Sequence, residues 1–159
     1  MLFIIDDRVI KGVLIMADYK NILVAVDYTE EARKVLQKAK GIAADCSARV
    51  TLLHVVETVP VVGGPESFSY VDLYVDQPDV IERALADMKA LASNLGIEIH
   101  KYLVLTGVPK HEITSSAEEY GIDLIILGSH GRHGIKLILG STAAGVLHHA
   151  KCDVLAVRV

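Results

Sequence analysis

The sequence predicts an α/β domain built on a parallel sheet covered by helices on both faces, and three observations predict it. Short apolar runs of strand type alternate with stretches of helical periodicity along most of the chain. Several of these runs are apolar at consecutive rather than alternate positions, as in strands buried on both faces. One run, Leu124 to Leu127, breaks into a glycine-bearing loop that opens a short helix.

In chain order, residues 21–27 (NILVAVD) form a β-branched-rich first strand that ends at Asp27. Residues 29–43 carry Ala32, Val35, Leu36, Ala39, Ile42 and Ala43 at helical spacing, with Glu30, Glu31, Arg33, Lys34 and Lys38 on the exposed face. Residues 48–56 read as the second strand, and His54 inside it is structural or at the strand end. Residues 57–78 are a long connection with Pro60, Gly63, Gly64 and Pro65 and the aromatic residues Phe68, Tyr70 and Tyr74. Such a connection is either a lid or partner surface, or a mobile insertion.

Residues 79–94 predict a helix: Asp79 and Glu82 have capping-box spacing, Ile81, Leu85, Met88, Ala92 and Leu95 line one face, and Gly96 ends it. Residues 97–105 make the third strand. Gly107, Val108 and Pro109 start the next helix, with proline in its first turn, Ile113, Ala117 and Tyr120 buried and Gly121 as terminator. Residues 123–127 are the fourth strand and residues 152–159 the fifth.

The stretch LIILGSHGRHGIKLILGSTAAGVLHHAK, residues 124–151, is where chemistry concentrates. Gly128, Gly131 and Gly134 follow the strand, and Gly140, Ser141 and Thr142 open a helix containing Ala143, Ala144, Gly145, Val146 and Leu147. The first N–H groups of a helix lack partners, and glycine lets an anion approach the backbone, so this arrangement suits phosphate. Magnitude limits the inference: a helix terminus contributes roughly 0.3–2 kcal/mol, whereas micromolar binding needs about 8 kcal/mol. The loop matches neither G-x-x-x-x-G-K-[ST] nor G-x-G-x-x-G, so the glycines alone equally describe a strand exit and a helix packed close to the sheet.

The 159 residues, 52% hydrophobic, suffice for one domain with a full core. A formal charge of -4 argues against a nucleic-acid footprint. Within that acidic chain, residues 124–152 contain no Asp or Glu but do contain Arg132, Lys136 and Lys151. Cys46 and Cys152 stand far apart without metal-ligand spacing, which predicts free thiols in a reducing, cytoplasmic setting. His130, His133, His148 and His149 lack an accompanying carboxylate, so no protein metal site is expected. In residues 1–15, Asp6, Asp7, Arg8 and Lys11 interrupt the apolar LFII and VLIM, leaving neither a signal peptide nor a membrane span. Residues 1–15 thus read as an N-terminal extension, from an upstream start codon or an appended strand, and residues 16–159 as the domain.

The wording of particular stretches, NILVAVD, LLHVVE at residues 52–57, Gly107-Val108-Pro109, DLIILGSHGRHG at residues 123–134 and GSTAAGVLHHAKCDVLAVRV at the end, resembles the universal stress protein family over residues 19–159. The resemblance implies a five-stranded parallel sheet in order 3-2-1-4-5 with helices on both faces, a Rossmann-like, adenine nucleotide alpha hydrolase-like fold. It implies an adenine nucleotide, ATP or AMP, with adenine at Ala25, Val26, Asp27 and Val55. Ribose and phosphates would lie on Gly128 and Gly131, then Gly140 and Ser141, with Leu127 and Thr142 adjoining. Arg132 is added here as a phosphate counter-charge, and Mg²⁺ would ride on the phosphates. One departure is that Arg132 to Leu139 supplies eight residues where the family pattern has nine, which shortens the excursion before the helix. Asp27-x-x-Glu30 also fits a helix cap, a structural role for the same carboxylate.

The function expected on these grounds is that of a nucleotide-binding stress-response regulator, at most a slow ATPase, because in-line phosphoryl transfer needs a placed base and strong charge neutralisation. The alternative is a ligand-independent interaction module. The resemblance implies a homodimer paired through the final strand, Val154 to Val159, and an edge strand suits that role.

Overall fold

The computed structural model describes residues 2–5, 18–27, 30–57, 78–129 and 139–158. Its strands are β1 (Leu2–Ile5), β2 (Asn21–Ala25), β3 (Arg49–Glu57), β4 (Lys101–Gly107), β5 (Leu124–Gly128) and β6 (Asp153–Val157). Its helices are α1 (Glu30–Cys46), α2 (Pro78–Leu95), α3 (Pro109–Glu119) and α4 (Ser141–His149). The strands form one parallel sheet in the order β1-β6-β5-β2-β3-β4. Counted from β2, this is the expected 3-2-1-4-5, with β1 added outside β6.

Period-two alternation along apolar strands divides the core into two layers. Ile22, Val24, Leu52, Ile126 and Leu155 face the layer filled by Val35, Leu36, Ala39 and Ile42 of α1 and Met88 and Ala92 of α2. Leu23, Leu53, Ile125, Leu127 and Val154 face the layer filled by Ile113 and Ala117 of α3 and Ala143 and Val146 of α4. Each fully buried Val, Leu, Ile or Met side chain among these contributes about 1.5–3 kcal/mol.

Element by element, the differences from expectation are local. Helix α2 starts at Pro78, which places Asp79 in the first turn rather than at the cap, where it still opposes the positive end of the helix dipole. Of the expected apolar row on α2, Ile81 is 38% exposed and Leu85 and Leu95 are half-buried, while Met88 and Ala92 are buried. Strand β4 starts at Lys101 because residues 97–100 are still leaving α2: Gly96 takes a left-handed φ of 59°, and the Ile97 N–H donates back to the Ala92 carbonyl at 3.1 Å. Tyr120 is half-buried rather than buried, with the Lys101 ammonium 3.7 Å over its ring.

The amino-terminal ends of the strands are tied together by carboxylates. Asp123 accepts the Lys20 N–H at 2.7 Å and the Asn21 N–H at 3.1 Å, and the Tyr19 hydroxyl donates to Asp153 at 3.0 Å. These acids sit at the opposite end of the sheet from the glycine loop. Cys46 and Cys152 form no disulfide and are half-buried against different layers, Cys46 on the α1 side and Cys152 on the side covered by α3 and α4.

Candidate functional site

Strands β2 and β5 are neighbours at the centre of the sheet, with Ile22 beside Leu124 and Val24 beside Ile126. From β2 the chain builds outward through β3 to β4, then crosses to β5 on the other side, so the strand order reverses between β2 and β5. Crevices at such reversals, beyond the carboxyl ends of the strands, are where open α/β sheets bind ligands. Asp27 leaves one of these ends and Gly128 closes the other.

The β2 end is anchored on β3. The Val26 N–H donates to the Leu53 carbonyl at 3.0 Å, and His54 Nδ1 lies 2.8 Å from the Val26 carbonyl oxygen. A carbonyl only accepts, so Nδ1 carries the proton. Both main-chain polar groups of Val26 are thereby engaged.

The β5 end is anchored on β6 and on the return of the loop. The Ser129 N–H donates to the Val157 carbonyl at 2.8 Å, and the Gly140 N–H donates to the Ser129 carbonyl at 2.8 Å. The loop therefore closes on its own base, and its closure sets the start of α4 beside β5. Gly140 is the cap of α4, in an extended conformation (φ -60°, ψ 153°), and among the described residues no side chain supplies a capping hydrogen bond. The first-turn amides of α4 thus remain donors without a side-chain acceptor at the cap.

Of the predicted site residues, Ala25, Val55 and Leu127 lie on the sheet face covered by α3 and α4, in the same layer as Ala143. Ala25 and Val55 are half-buried there and Leu127 is buried. Gly128, Gly140 and Thr142 are partly exposed and Ser141 is exposed. Asp27 is partly exposed at the β2 exit. Val26 is different: its side chain is buried in the opposite layer with Val24 and Ile126, so only its main chain belongs to the crevice. Gly131 and Arg132 lie outside the described residues, as do His130, His133, Gly134, Lys136 and most of the 57–78 connection.

The remaining basic and imidazole groups are used elsewhere. Lys151 pairs with Glu118 of α3 at 2.9 Å. His148 and His149 stack edge to face at the far end of α4, and His149 Nδ1 meets the Gly145 carbonyl at 2.8 Å. A nine-residue helix spans roughly 12 Å, so those rings are remote from Ser141. Among the described residues, no group of three or more His, Cys, Asp or Glu side chains could hold a metal ion. No described helix is long and apolar enough to cross a membrane.

Two further residues belong to the frame: Ser129, which sequence reasoning passed over, and His54, which it read only as structural. Ser129, 4% exposed, supplies the N–H and carbonyl that close the loop, and His54 holds the β2 exit. Nothing in the sequence distinguishes Ser129 from a solvent-facing loop serine. His54 stands out only once β3 is set beside β2.

These features define a doubly wound α/β domain with a strand, glycine loop and helix start at the point of strand reversal. The family model for the universal stress protein family matches residues 18–158, and the chain belongs to that family. It is 44% identical over 146 residues to universal stress protein A homolog 2 of Coxiella burnetii, covering 91% of this chain and 98% of that one. Among solved structures, universal stress protein UspA from Lactobacillus plantarum superposes with a TM-score of 0.70 at 28% identity, over 90% of this chain and 99% of that one. The universal stress protein from Archaeoglobus fulgidus in complex with dAMP shares the fold at a TM-score of 0.61 and 24% identity, over 88% of this chain and 98% of that one.

Proposed function

We propose that this protein binds an adenine nucleotide, ATP or AMP, at the carboxyl ends of β2 and β5 and acts as a nucleotide-dependent stress-response regulator. The observation that carries the reading is the start of α4. An uncapped helix N-terminus, preceded by a residue without a side chain, stands next to the strand reversal. Ala25, Asp27, Val55 and the Val26 main chain form the adenine and ribose side. Leu127, Gly128, Gly140, Ser141 and Thr142 form the phosphate side. Gly131 completes the phosphate side from the sequence, with Arg132 as its counter-charge and Mg²⁺ carried by the phosphates.

The donor set fits a phosphate. Backbone amides at a helix start and the Ser141 hydroxyl donate to anionic oxygens, and residues 124–152 contain no carboxylate to repel them. Binding rather than rapid turnover is the role proposed: the cationic groups that would neutralise charge in phosphoryl transfer reduce to Arg132 and Lys136 in the loop. Calorimetric titration with ATP and AMP, together with mass spectrometry of nucleotide retained on purification, tests the reading. Saturable binding that weakens about tenfold in Ser141→Ala, equivalent to the roughly 1.4 kcal/mol of a hydrogen bond to a charged group, supports it. No binding at millimolar nucleotide rejects it.

A further inference from the structure

Helix α3 brings a cation to α4 from outside the glycine loop. The aliphatic stem of Lys110, in the first turn of α3, lies across Gly145 at the middle of α4. A Cβ at Gly145 would stand 2.7 Å from Lys110 Cδ and 3.0 Å from Lys110 Cβ. A larger residue at 145 would therefore push the stem aside, which gives a glycine that weakens the helix a packing role.

Lys110 is half-buried by this contact, and a lysine held by its stem keeps its charged head towards water. Among the described residues that ammonium has no hydrogen-bond or ion-pair partner. Two residues on, the Glu112 carboxylate is turned against Gly107 of β4. Glu118, further along α3, is taken by Lys151 at 2.9 Å. On the α4 side, residues 124–152 contain no Asp or Glu to compete for the charge. Ser141 and Gly145 are four residues apart on α4, so they share a face and stand roughly 6 Å apart along its axis. The stem over Gly145 thus lies one turn from the exposed Ser141.

We infer that Lys110 reads the length of the phosphate chain: its ammonium binds the phosphates that ATP carries beyond the first, and so gives the site a preference for ATP over AMP. The inference rests on the nucleotide-binding reading above. The single phosphate of AMP is served by the α4 amides and the Ser141 hydroxyl at the helix start. A longer chain of phosphates runs on past that start, and Lys110 stands one turn further along the same face. An ammonium on a flexible stem suits such a chain as a point charge with three donors. It supplies charge and no general base, so its role is binding rather than hydrolysis.

The test is calorimetric titration of the intact chain and of full-length Lys110→Met with ATP and with AMP, Mg²⁺ and ionic strength held equal. Methionine keeps an unbranched stem over Gly145 and removes the charge. The expected result is an ATP affinity lowered about tenfold, as for loss of a hydrogen bond to a charged group, with a shallower salt dependence and AMP affinity unchanged. Lys110→Arg keeps the preference. Equal losses for both nucleotides show a structural role and overturn the inference, as does an intact chain that binds AMP as tightly as ATP. Those results leave the nucleotide site standing, whereas no binding of either nucleotide removes the site and the inference together. Gly145→Ala gives a second reading should Lys110→Met not fold. Alanine raises helix propensity while displacing the stem, so the melting temperature holds or rises and the ATP preference falls. A preference undiminished in that variant overturns the inference.

Discussion

The His54 imidazole donates from Nδ1 to the carbonyl oxygen of Val26 at 2.8 Å, fastening the exit of β2 to β3 one residue before Asp27. That bond joins a core strand to the main chain that carries the proposed adenine side. Replacing the donor should be felt both in stability and in binding.

His54→Phe is expected to lower unfolding free energy by about 1–3 kcal/mol, since it leaves the carbonyl without this donor. It should also weaken nucleotide binding severalfold, because residues 25–27 lose their anchor. Urea denaturation and calorimetry on the same variant read the two effects. Unchanged affinity with reduced stability would remove the β2 exit from the site.

Gly140→Asp separates stability from binding in the opposite sense. The backbone at Gly140 is already extended, as at an N-cap, so aspartate fits without strain and its carboxylate accepts first-turn amides. Stability should stay the same or rise by a few tenths of a kcal/mol. Nucleotide affinity should fall at least tenfold, because the carboxylate occupies the proposed phosphate position.

Gly121→Ala isolates backbone strain. Gly121 has φ 59°, and a Cβ there would meet no atom within 4 Å, so no steric clash adds to the cost. The expected loss is about 1–2 kcal/mol from the left-handed conformation alone, measured as a lowered denaturant midpoint with an unchanged slope.

Tyr19 gives a pH signature. Burial, then its hydrogen bond to Asp153 and the charges of Asp153 and Asp123, push its hydroxyl from 10.0 up to about 12. The folded state therefore keeps a proton that the unfolded chain releases above pH 10. The stabilisation is whole below that pH and is lost as pH rises towards 12. In Tyr19→Phe, stability should decline less steeply over that window in a series of alkaline melts.

Most of the architecture was legible because buried parallel strands declare themselves as apolar runs, and glycines mark where helices stop. Gly96 and Gly121 both adopt the left-handed conformation expected of terminators. Ile81 misled because apolar periodicity on α2 continues past the point where the helix touches the sheet. Val26 was assigned to the crevice as a residue, yet strand alternation with Ile22 and Val24 already places its side chain on the other face. The roles of His54 and Ser129 depend on which strands are neighbours, which no local pattern encodes. The pairing of β1 with β6 joins opposite ends of the chain, and LFII specifies a strand without specifying its mate.

The carboxylate ties at the base of the sheet carry a last consequence. Asp123 and Asp153 fasten Tyr19, Lys20 and Asn21 at the end remote from Gly128 and Gly140. The molecule thus has a foundation and a workbench, separated by the length of its strands. Residues at the workbench, where ligand binding is proposed, can vary while the foundation keeps the strands aligned, so change at that end need not erode folding.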